Sequence, residues 1–482
     1  MTAPFLVAAG SETEVLAPAD ESVVGAVRLS TVDDVPKAVE RARGALHDWR
    51  RASPFDRAGV LTRAAALIRE RADEIGLLHS RESGKVIAQA KKEVQGAAFL
   101  LEENAHIARF DAGYLAPTGA LPGGEKDMTI VERVPLGVVV CVIPFNFPVE
   151  LVIEKAGAAL AAGNAVIVKP PPQNPLATIE VVSALVEAGV PDGLISVVAG
   201  GREVSAALCS AEGVDAVSLT GSVAAGVAVA KSTAHLLRPL HLELGGNGAA
   251  VVVEDADLDH VVSETLRGRL LMNGQACAAT KRVVVERSVA EELADRLRNA
   301  LGQARVGDPT DPESDVGPLI DAPSAARVAD QVSRAVDQGG RLALGEASSD
   351  RAWFKPALLS GLPEDAEVAR DDEIFGPVVS VIPFEGDGHA VGIVNSSRLA
   401  LTAAVFSADI GRAMAIAQQL EVGGVVINGT NNYRPPVVPF GGVGLAGTGR
   451  EGIGYTYDEL TRSRFIALRG IRPPGTPMGG EA

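Results

Sequence analysis

The sequence predicts an α/β protein whose first large unit is a doubly wound parallel sheet. Between residues 138 and 222, short apolar runs alternate with stretches of helical period, as they do where crossover helices join parallel strands. A second unit of the same kind begins after Gly245, with an apolar run at 249–253 and a helix start at 255–258. A chain of 482 residues with 47% apolar residues is long enough for two or three domains.

The N-terminal part is predicted to be helical from residue 31 to about residue 80. Residues 31–34, Thr-Val-Asp-Asp, form a capping-box pattern, and apolar residues recur at helical spacing between 35 and 42. A second run with the same period covers residues 61–78. Turn-rich segments between 117 and 132 flank short β-prone pieces and predict a projecting hairpin, suited to contact between subunits.

The central alternation predicts the position of each element. Strands are expected at 138–143, 165–168, 195–198 and 217–219, and helices at 149–160, 179–188, 204–209 and from about 222 onward. In an open sheet of this kind, ligands bind beyond the carboxyl ends of the strands. Residues that follow these strands are therefore the first candidates for a functional site.

Composition excludes several classes of protein. A formal net charge of −17 and a pI near 5.0 oppose non-specific binding to nucleic acid or anionic membranes. The longest apolar stretch, 136–149, is interrupted by polar residues and prolines and is shorter than the roughly 20 residues of a membrane-spanning helix. The first residues lack a secretory signal, and three cysteines cannot form a disulfide framework. We expect a cytoplasmic protein without a metal site.

Cys277 is the cysteine whose setting points to chemistry. It follows the small and polar residues 273–276, whereas Cys141 lies in an apolar run and Cys209 ends a short apolar helix, as buried structural thiols do. Upstream, Glu243 precedes a glycine pair. A thiol on small residues and a carboxylate before glycines suggest a covalent nucleophile and a base that activates water.

Polar side chains follow two of the predicted strands. Asn146 lies between prolines just after the strand at 138–143, and its amide could donate to negative charge that develops on a substrate oxygen, an interaction worth roughly 3–4 kcal/mol. Lys169 ends the strand at 165–168 and could meet a ribose hydroxyl or a phosphate. A loop-closing asparagine and a solvated strand-end lysine remain the alternatives.

Glycine-rich segments occur at three places. Gly221 and Ser222 follow the strand at 217–219 and open a helix, whose free N–H groups suit a pyrophosphate. Residues 442–447 and 447–452 both match G-x-G-x-x-G. Neither of these two follows a convincing strand or begins a βαβ unit, so neither is taken as a dinucleotide-binding fingerprint.

Seven short motifs follow one another along the chain. They are Pro-Phe-Asn-Phe-Pro at 144–148, Lys-Pro at 169–170, Thr-Gly-Ser at 220–222, Glu-Leu-Gly-Gly at 243–246, Gly-Gln-Ala-Cys at 274–277, Glu-Ile-Phe-Gly-Pro at 373–377 and Pro-Phe-Gly-Gly at 439–442. In this order they resemble the aldehyde dehydrogenase superfamily, and the resemblance covers nearly the whole chain. Seven motifs in one order are far more specific than any single motif.

The resemblance implies a mechanism. Cys277 would attack the aldehyde carbonyl as a thiolate, and the Asn146 amide and the Cys277 backbone N–H would hold the oxyanion. After hydride transfer, Glu243 would activate water to hydrolyse the thioester, and Lys155 would support the site. Because members that pass the acyl group to coenzyme A often lack this glutamate, a free carboxylic acid is the expected product.

The resemblance also implies a nicotinamide cofactor. The positions that would contact it are Ile143, Pro144, Phe145, Lys169, Pro172, Gly200, Gly221, Ser222, Leu244, Glu373 and Phe375. Many NAD-preferring members have glutamate where this chain has Pro172. Without a carboxylate to repel a 2′-phosphate, the sequence favours NADP+ or dual use. Gly444 and Ala446 also replace a lysine and a serine that are common in the family.

The substrate pocket implied by the resemblance contains few charges. Its lining would be Leu151, Glu154, Ala276, Ala278, Tyr433, Arg434 and Phe440. Arg434 could hold the anionic group of a small aldehyde, such as one like lactaldehyde or glyceraldehyde phosphate, unless Glu154 neutralises it or it forms a structural ion pair. An aromatic aldehyde stacked on Phe440 and Tyr433 is the alternative.

Two further interpretations of the chain remain: an acylating semialdehyde dehydrogenase that uses coenzyme A, and a non-catalytic protein like the lens crystallins derived from this family. The implied architecture combines a Rossmann-like cofactor domain, an α/β catalytic domain and a small β oligomerisation element in a homodimer or homotetramer. The expected boundaries are 1–110 and 133–242 for the cofactor domain, 243–422 for the catalytic domain, 111–132 and 455–482 for the oligomerisation element, and 423–454 for a substrate loop that returns to the cofactor domain.

Overall fold

The computed structural model describes residues 3–111 and 113–471. Its strands are β1 Glu12–Leu16, β2 Val23–Arg28, β3 Tyr114–Ala116, β4 Met128–Pro135, β5 Val138–Val142, β6 Ala165–Lys169, β7 Ile195–Val197, β8 Ala216–Thr220, β9 Leu240–Glu243, β10 Ala249–Val252, β11 Arg282–Glu286, β12 Arg341–Leu344, β13 Ala357–Ser360, β14 Val378–Phe384, β15 Leu399–Ala400, β16 Thr402–Phe406, β17 Gly424–Ile427, β18 Val443–Gly444, β19 Gly447–Thr448 and β20 Thr461–Leu468.

Helices join and cover these strands. They are α1 Val35–Arg51, α2 Pro54–Glu70, α3 Ala72–Ser83, α4 Ile87–Phe110, α5 Pro148–Val152, α6 Ala158–Ala162, α7 Leu176–Glu187, α8 Arg202–Ser210, α9 Val223–Thr233, α10 Leu258–Arg269, α11 Ala290–Gly302, α12 Ala322–Asp337, α13 Asp387–Asn395, α14 Ile410–Ala417 and α15 Tyr455–Glu459, and a π-helical segment at Ile153–Gly157 joins α5 to α6.

The predicted helix start at residues 31–34 is confirmed, whereas the single helical run predicted at 61–78 is divided between two helices. Asp34 accepts hydrogen bonds from the backbone N–H and the hydroxyl of Thr31, which completes the capping box before α1. The helical period at 61–78 belongs to two helices, α2 and α3. The backbone leaves the helical conformation at Arg71 (φ −91°, ψ 12°), a break that an uninterrupted apolar period does not reveal.

The first sheet has the order β19-β9-β8-β5-β6-β7, and all its strands except β19 run parallel. From β5 the chain moves outward through β6 and β7 and then returns to β8 on the other side of β5. The strand order therefore reverses between β5 and β8, and ligands bind at the carboxyl ends of the strands at such a switch point. Asn146 follows β5 there, and Gly221 follows β8.

The second sheet has the order β12-β13-β14-β11-β10-β16-β17, with β12 antiparallel to an otherwise parallel set. Successive residues of β10 enter separate apolar clusters: Val251 packs on one face and Val252 on the other. Both faces are therefore covered. The first sheet and its helices form a larger apolar core of their own.

A third, smaller sheet pairs distant parts of the chain. β4 pairs antiparallel with β3, which confirms the predicted hairpin, and with β20, a strand within the C-terminal part that the sequence assigns to the same element. Residue 112 and residues 472–482, which the sequence assigns to the same element, lie outside the described residues, as do residues 1–2 of the expected cofactor domain. No helix of the described ranges is both long and apolar enough to cross a membrane.

Candidate active site

Asn146 lies at the switch point and reaches the nucleophile loop. It is 5% exposed, and its Nδ2 donates to the Gln275 carbonyl at 2.9 Å, while its Oδ1 accepts from the Phe147 N–H at 3.1 Å. A primary amide has two N–H groups. The bond to Gln275 fixes the plane of the amide and leaves the second N–H free for a substrate oxygen beside Cys277.

A buried carboxylate holds the short helix that follows Asn146. Glu93, on α4, accepts from the backbone N–H groups of Val149 (3.0 Å) and Glu150 (3.2 Å), so it caps the N-terminus of α5 from another part of the fold. Lys85 and His79 contact its other oxygen. Although burial alone would raise the pKa of Glu93, these two neighbours lower it to about 2.

The loop before Cys277 adopts a conformation that is uncommon for side-chain-bearing residues. Met272 and Asn273 both have positive φ, 52° and 56°. The Asn273 side chain stabilises this loop: its Nδ2 donates to the Gly84 and Pro318 carbonyls, each at 2.8 Å, and its Oδ1 accepts from Gly317 N–H. These contacts fix the backbone that leads to the nucleophile.

Cys277 is mostly buried, at the amino end of the second sheet. It packs against an apolar group that includes Phe440 and Leu401. Burial raises the pKa of the Cys277 thiol to about 11, although the positive charges of Lys281 and Arg434 favour the thiolate. The resting thiol is therefore protonated at neutral pH and needs a base. Cys141 and Cys209 are fully buried, as expected for structural thiols.

Glu243, whose charge acts on Cys277, is the candidate for that base. It ends β9, is 3% exposed, and neither of its carboxyl oxygens has a hydrogen-bond partner among the described residues. Burial, followed by the negative charge of Glu451, raises the pKa of Glu243 well above its ordinary value. A carboxyl group with a raised pKa and a free pair of oxygens is suited to take up a proton near neutral pH.

Glu451 was not predicted from the sequence, and it organises the charges around Glu243. Its Oε1 accepts from Lys155 Nζ at 2.6 Å, and its Oε2 accepts from Arg434 Nη2 at 2.9 Å. Both Lys155 and Glu451 are almost fully buried. Burial alone would raise the pKa of Glu451, but Lys155 and Arg434 lower it. The predicted residue Lys155 thus contacts the site through this second glutamate.

The residues expected at the cofactor converge on the same edge. The Glu373 carboxylate lies 2.8 Å from Lys281 Nζ, and the rings of Phe145 and Phe375 meet edge to face at 5.9 Å. A Cβ placed on Gly245 would lie 2.4 Å from Glu373 Oε2, so a larger residue there would displace this carboxylate. These contacts bring predicted cofactor residues from both sheets together in one group, here called the cofactor cradle.

The phosphate side of this cradle is formed by strand ends and helix starts of the first sheet. Ser222 caps α9 by accepting from Ala225 N–H, and Gly221 precedes it. Lys169 ends β6, is 6% exposed, and burial lowers its pKa to about 8. Pro172 is exposed. Free N–H groups at a helix start and a buried lysine fit a dinucleotide phosphate and ribose.

The remaining predicted cofactor residues line or support this edge. The Ile143 N–H donates to the Lys169 carbonyl at 3.0 Å, and Leu244 N–H donates to the Ala446 carbonyl at 2.9 Å. Gly200 is packed so tightly on Val204 that an added Cβ would lie 2.7 Å from it. Pro144 lies between Ile143 and Phe145 at the end of β5.

The predicted substrate residues are only partly brought together. Arg434 stacks on Phe440 at 4.0 Å and pairs with Glu451, and Glu154 lies 3.7 Å from the same guanidinium group. Glu154 is itself bound by Gly452 N–H and Thr456. The ion pair that the sequence left open for Arg434 is therefore present. Ala278 packs with Phe440 in one apolar cluster, and Leu151 and Ala276 are buried, whereas Tyr433 is 60% exposed.

A cavity of about 170 Å³ lies next to Arg434. It is enclosed by α4, the helix after Asn146 and the loop that carries Arg434, and it includes Glu150, which was not predicted. Burial raises the pKa of Glu150 to about 7, against the effect of Arg434. A carboxyl group that is partly protonated at neutral pH therefore faces a guanidinium group across this cavity.

A largely buried thiol, a glutamate without a hydrogen-bond partner in the described ranges and an asparagine amide lie beside the cofactor cradle at the two parallel sheets. This arrangement defines a class of oxidoreductase that works through a covalent cysteine adduct. The model of the aldehyde dehydrogenase family matches residues 5–466, and the chain belongs to that family. It is an oxidoreductase that acts on aldehydes with a nicotinamide cofactor.

Named relatives span several aldehydes. The chain is 35% identical over 456 residues to 3-sulfolactaldehyde dehydrogenase of Priestia aryabhattai, covering 94% of each chain, and 38% identical over 449 residues to geranial dehydrogenase of Castellaniella defragrans, covering 91% of each. Among solved structures, NADP-dependent glyceraldehyde-3-phosphate dehydrogenase from Bacillus halodurans C-125, complexed with NADP, matches with a TM-score of 0.92 at 34% identity over 95% of this chain and 96% of that chain.

Proposed function

We propose that Cys277, Asn146 and Glu243 oxidise a small hydroxylated or anionic aldehyde to the free acid, with NADP+ as the preferred acceptor. The observation that carries the proposal is the position of Asn146: it is bonded to the backbone two residues before Cys277 and keeps one N–H free. The two oxygens of Glu243, which accept no hydrogen bond from residues 3–111 and 113–471, complete the set.

Glu243 takes the proton of the Cys277 thiol, and the thiolate adds to the aldehyde carbon. The second N–H of Asn146 and the Cys277 backbone N–H hold the resulting oxyanion. The bound nicotinamide supplies the acceptor for the hydride that leaves this carbon. Glu243 releases the thiol proton to solvent and, ionised again, removes a proton from water; the hydroxide displaces the thiolate from the thioester to give the carboxylic acid.

Charge and hydrogen-bonding capacity favour a hydroxylated substrate. In the described part of the chain, Arg434 uses only Nη2 in ion pairs, which leaves further N–H donors for a substrate oxygen. Glu150 offers an acceptor across the cavity. A hydroxyl group can donate to Glu150 and accept from Arg434, and partial protonation of Glu150 reduces the repulsion of an anionic group.

A screen of aldehydes with both cofactors tests the proposal. Absorbance of NAD(P)H is followed with lactaldehyde, an anionic semialdehyde, benzaldehyde and an aliphatic aldehyde, each with and without coenzyme A. We expect the highest kcat/KM with a hydroxylated or anionic aldehyde and NADP+, without stimulation by coenzyme A. A preference for benzaldehyde, or for NAD+, would reject that part of the proposal.

Replacing Arg434 by alanine is expected to raise KM about 10- to 100-fold more for an anionic aldehyde than for a neutral aldehyde of the same length, because charge-assisted hydrogen bonds are lost. Arg434→Lys keeps the charge but not the planar fork, so its KM for the anionic aldehyde should lie between those of the wild type and of Arg434→Ala. Equal changes in KM for the two substrates would show that Arg434 serves only the ion pair with Glu451.

Replacing Glu451 by glutamine is expected to move the acidic limb of the kcat/KM profile to lower pH. The Glu451 charge raises the pKa of Glu243, so its removal lowers that pKa and ionises the base at lower pH. The exposed Glu421→Gln variant is the matched control, and thermal unfolding reports any loss from the unpaired Lys155. An unmoved limb would show that Glu243 does not set it.

We also propose the domain boundaries, the assembly and the compartment given by the sequence. β3 and β20 carry exposed apolar side chains, with Tyr114 64% and Phe465 72% exposed, which supports a role of this sheet in a dimer or tetramer. Three free cysteines, one of them reactive, suit a reducing cytoplasm.

A further inference from the structure

Lys281 is a buried lysine at the start of β11 that the mechanism above does not use. It is 3% exposed, and its ammonium group donates to three backbone carbonyls, those of Gly246 (2.5 Å), Ala276 (2.9 Å) and Cys277 (2.6 Å). Gly246 belongs to the link between Glu243 and the second sheet, and the other two belong to the nucleophile loop. One ammonium group thus ties the base segment to the nucleophile segment.

The fourth contact of the same ammonium group reaches the cofactor cradle. Glu373 Oε1 lies 2.8 Å away, and the ring of Phe375 lies 5.8 Å away. Three backbone carbonyls and the Glu373 carboxylate, all from the motifs named above, therefore contact one buried positive charge. Burial of a lysine is costly unless the charge is paired and its donors are used, and both conditions are met here.

The charge also has an electrostatic consequence for the thiol. Burial raises the pKa of the Cys277 thiol. Of the nearby charges, Lys281 lowers this pKa most and Arg434 lowers it next, whereas Glu243 and Glu373 raise it. Arg269 is fully buried, and its positive charge lowers the pKa of Lys281, whereas Glu373 raises it. A neutral residue at 281 would leave the carboxylates around the thiol with less compensation.

We propose that Lys281 is a positioning residue that fixes the Cys277 loop and Glu373 to one buried positive charge and thereby favours the thiolate of Cys277. A purely structural side chain would need only to satisfy the three carbonyls. The charge adds a function that a neutral hydrogen-bond donor of similar size cannot supply.

The rate of alkylation at Cys277 by iodoacetamide, read by peptide mass, tests this proposal without aldehyde or cofactor. In Lys281→Gln the rate near pH 8 is expected to fall about tenfold, equivalent to a rise of one unit in the pKa of the thiol. Lys281→Arg, which keeps the charge, should restore most of the rate. Lys91→Gln, at a partly exposed lysine paired with Asp73, is the matched control.

Glutamine keeps an N–H donor for the carbonyls, so Lys281→Gln is the variant best suited to fold. Lys281→Met removes both the donor and the charge, and it extends the test if it also folds. A further expectation is a raised KM for the cofactor in Lys281→Gln, because Glu373 loses its partner. An alkylation rate within twofold of wild type in folded Lys281→Gln would overturn the proposal.

The inference rests on the proposed role of Cys277, but the two fail separately. A chain that oxidises no aldehyde, yet loses alkylation in Lys281→Gln, would reject the proposed function and retain the effect of Lys281 on the thiol. A chain that oxidises aldehydes, but whose Lys281→Gln variant is alkylated at the wild-type rate, would retain the proposed function and reject the effect of Lys281 on the thiol.

Discussion

Replacing Glu243 by glutamine is expected to give a protein that forms about one equivalent of NAD(P)H per active site more slowly, because the thiol loses its base, and then stops, because the thioester is not hydrolysed. Steady-state kcat should fall by about 10²–10⁴-fold, the usual contribution of a general base. Within the part of the chain that the structure describes, the two oxygens of Glu243 accept no hydrogen bond, so glutamine of the same shape fits without breaking one. The measurements are a pre-steady-state burst and the intact mass of the trapped acyl protein.

Two results would decide the role of Glu243. Cys277→Ser is the control for the burst, because without the thiol no acyl adduct of this kind accumulates. Sustained turnover of Glu243→Gln at a near-normal rate would assign the hydrolytic base to another carboxylate, and Glu373 would be the first to examine. A burst that is lost together with turnover would instead place the main role of Glu243 in deprotonating the thiol.

Replacing Asn146 by alanine is expected to lower kcat by about 10²–10³-fold with a smaller change in KM, because the amide acts mainly on the oxyanion that forms in the transition state. The side chain also accepts from Phe147 N–H. Part of the loss could therefore come from the loop, and thermal unfolding measures that part.

Asn395→Ala removes a side chain that also bonds to backbone, at the exposed end of α13, and serves as the matched control for Asn146→Ala. Asn146→Asp separates position from charge: it keeps the shape but brings a negative charge towards the oxyanion. We expect it to be at least as inactive as the alanine variant. Activity of Asn146→Asp close to wild type would exclude the oxyanion role.

Most of the fold could be predicted because its signals are local. The capping box at Thr31 and Asp34 is closed by hydrogen bonds between residues three apart, and the buried strands β5 and β6 are continuous apolar runs. The break between α2 and α3 at Arg71 carries no such signal: the residue is an ordinary helix former, and the apolar period continues across it.

The candidate site could be predicted as far as its residues stand in recognisable motifs, and Cys277 and Asn146 do lie together. Glu451 and Lys281 were missed because a charged residue in a loop or at a strand start looks the same whether it is solvated or buried. Arg434 shows the same limit: its pairing with Glu451, 17 residues away, depends on how the chain returns to Glu243 through β19.

The burial that holds Cys277 as a thiol also affects how long the protein survives. Oxidants such as peroxides attack the thiolate, so a cysteine whose pKa is raised to about 11 is oxidised slowly while the enzyme is idle. Under the proposed mechanism, the sulfur reacts fastest once Glu243 has accepted its proton. Chemical durability between turnovers is thus a consequence of the same packing that makes the nucleophile dependent on its base.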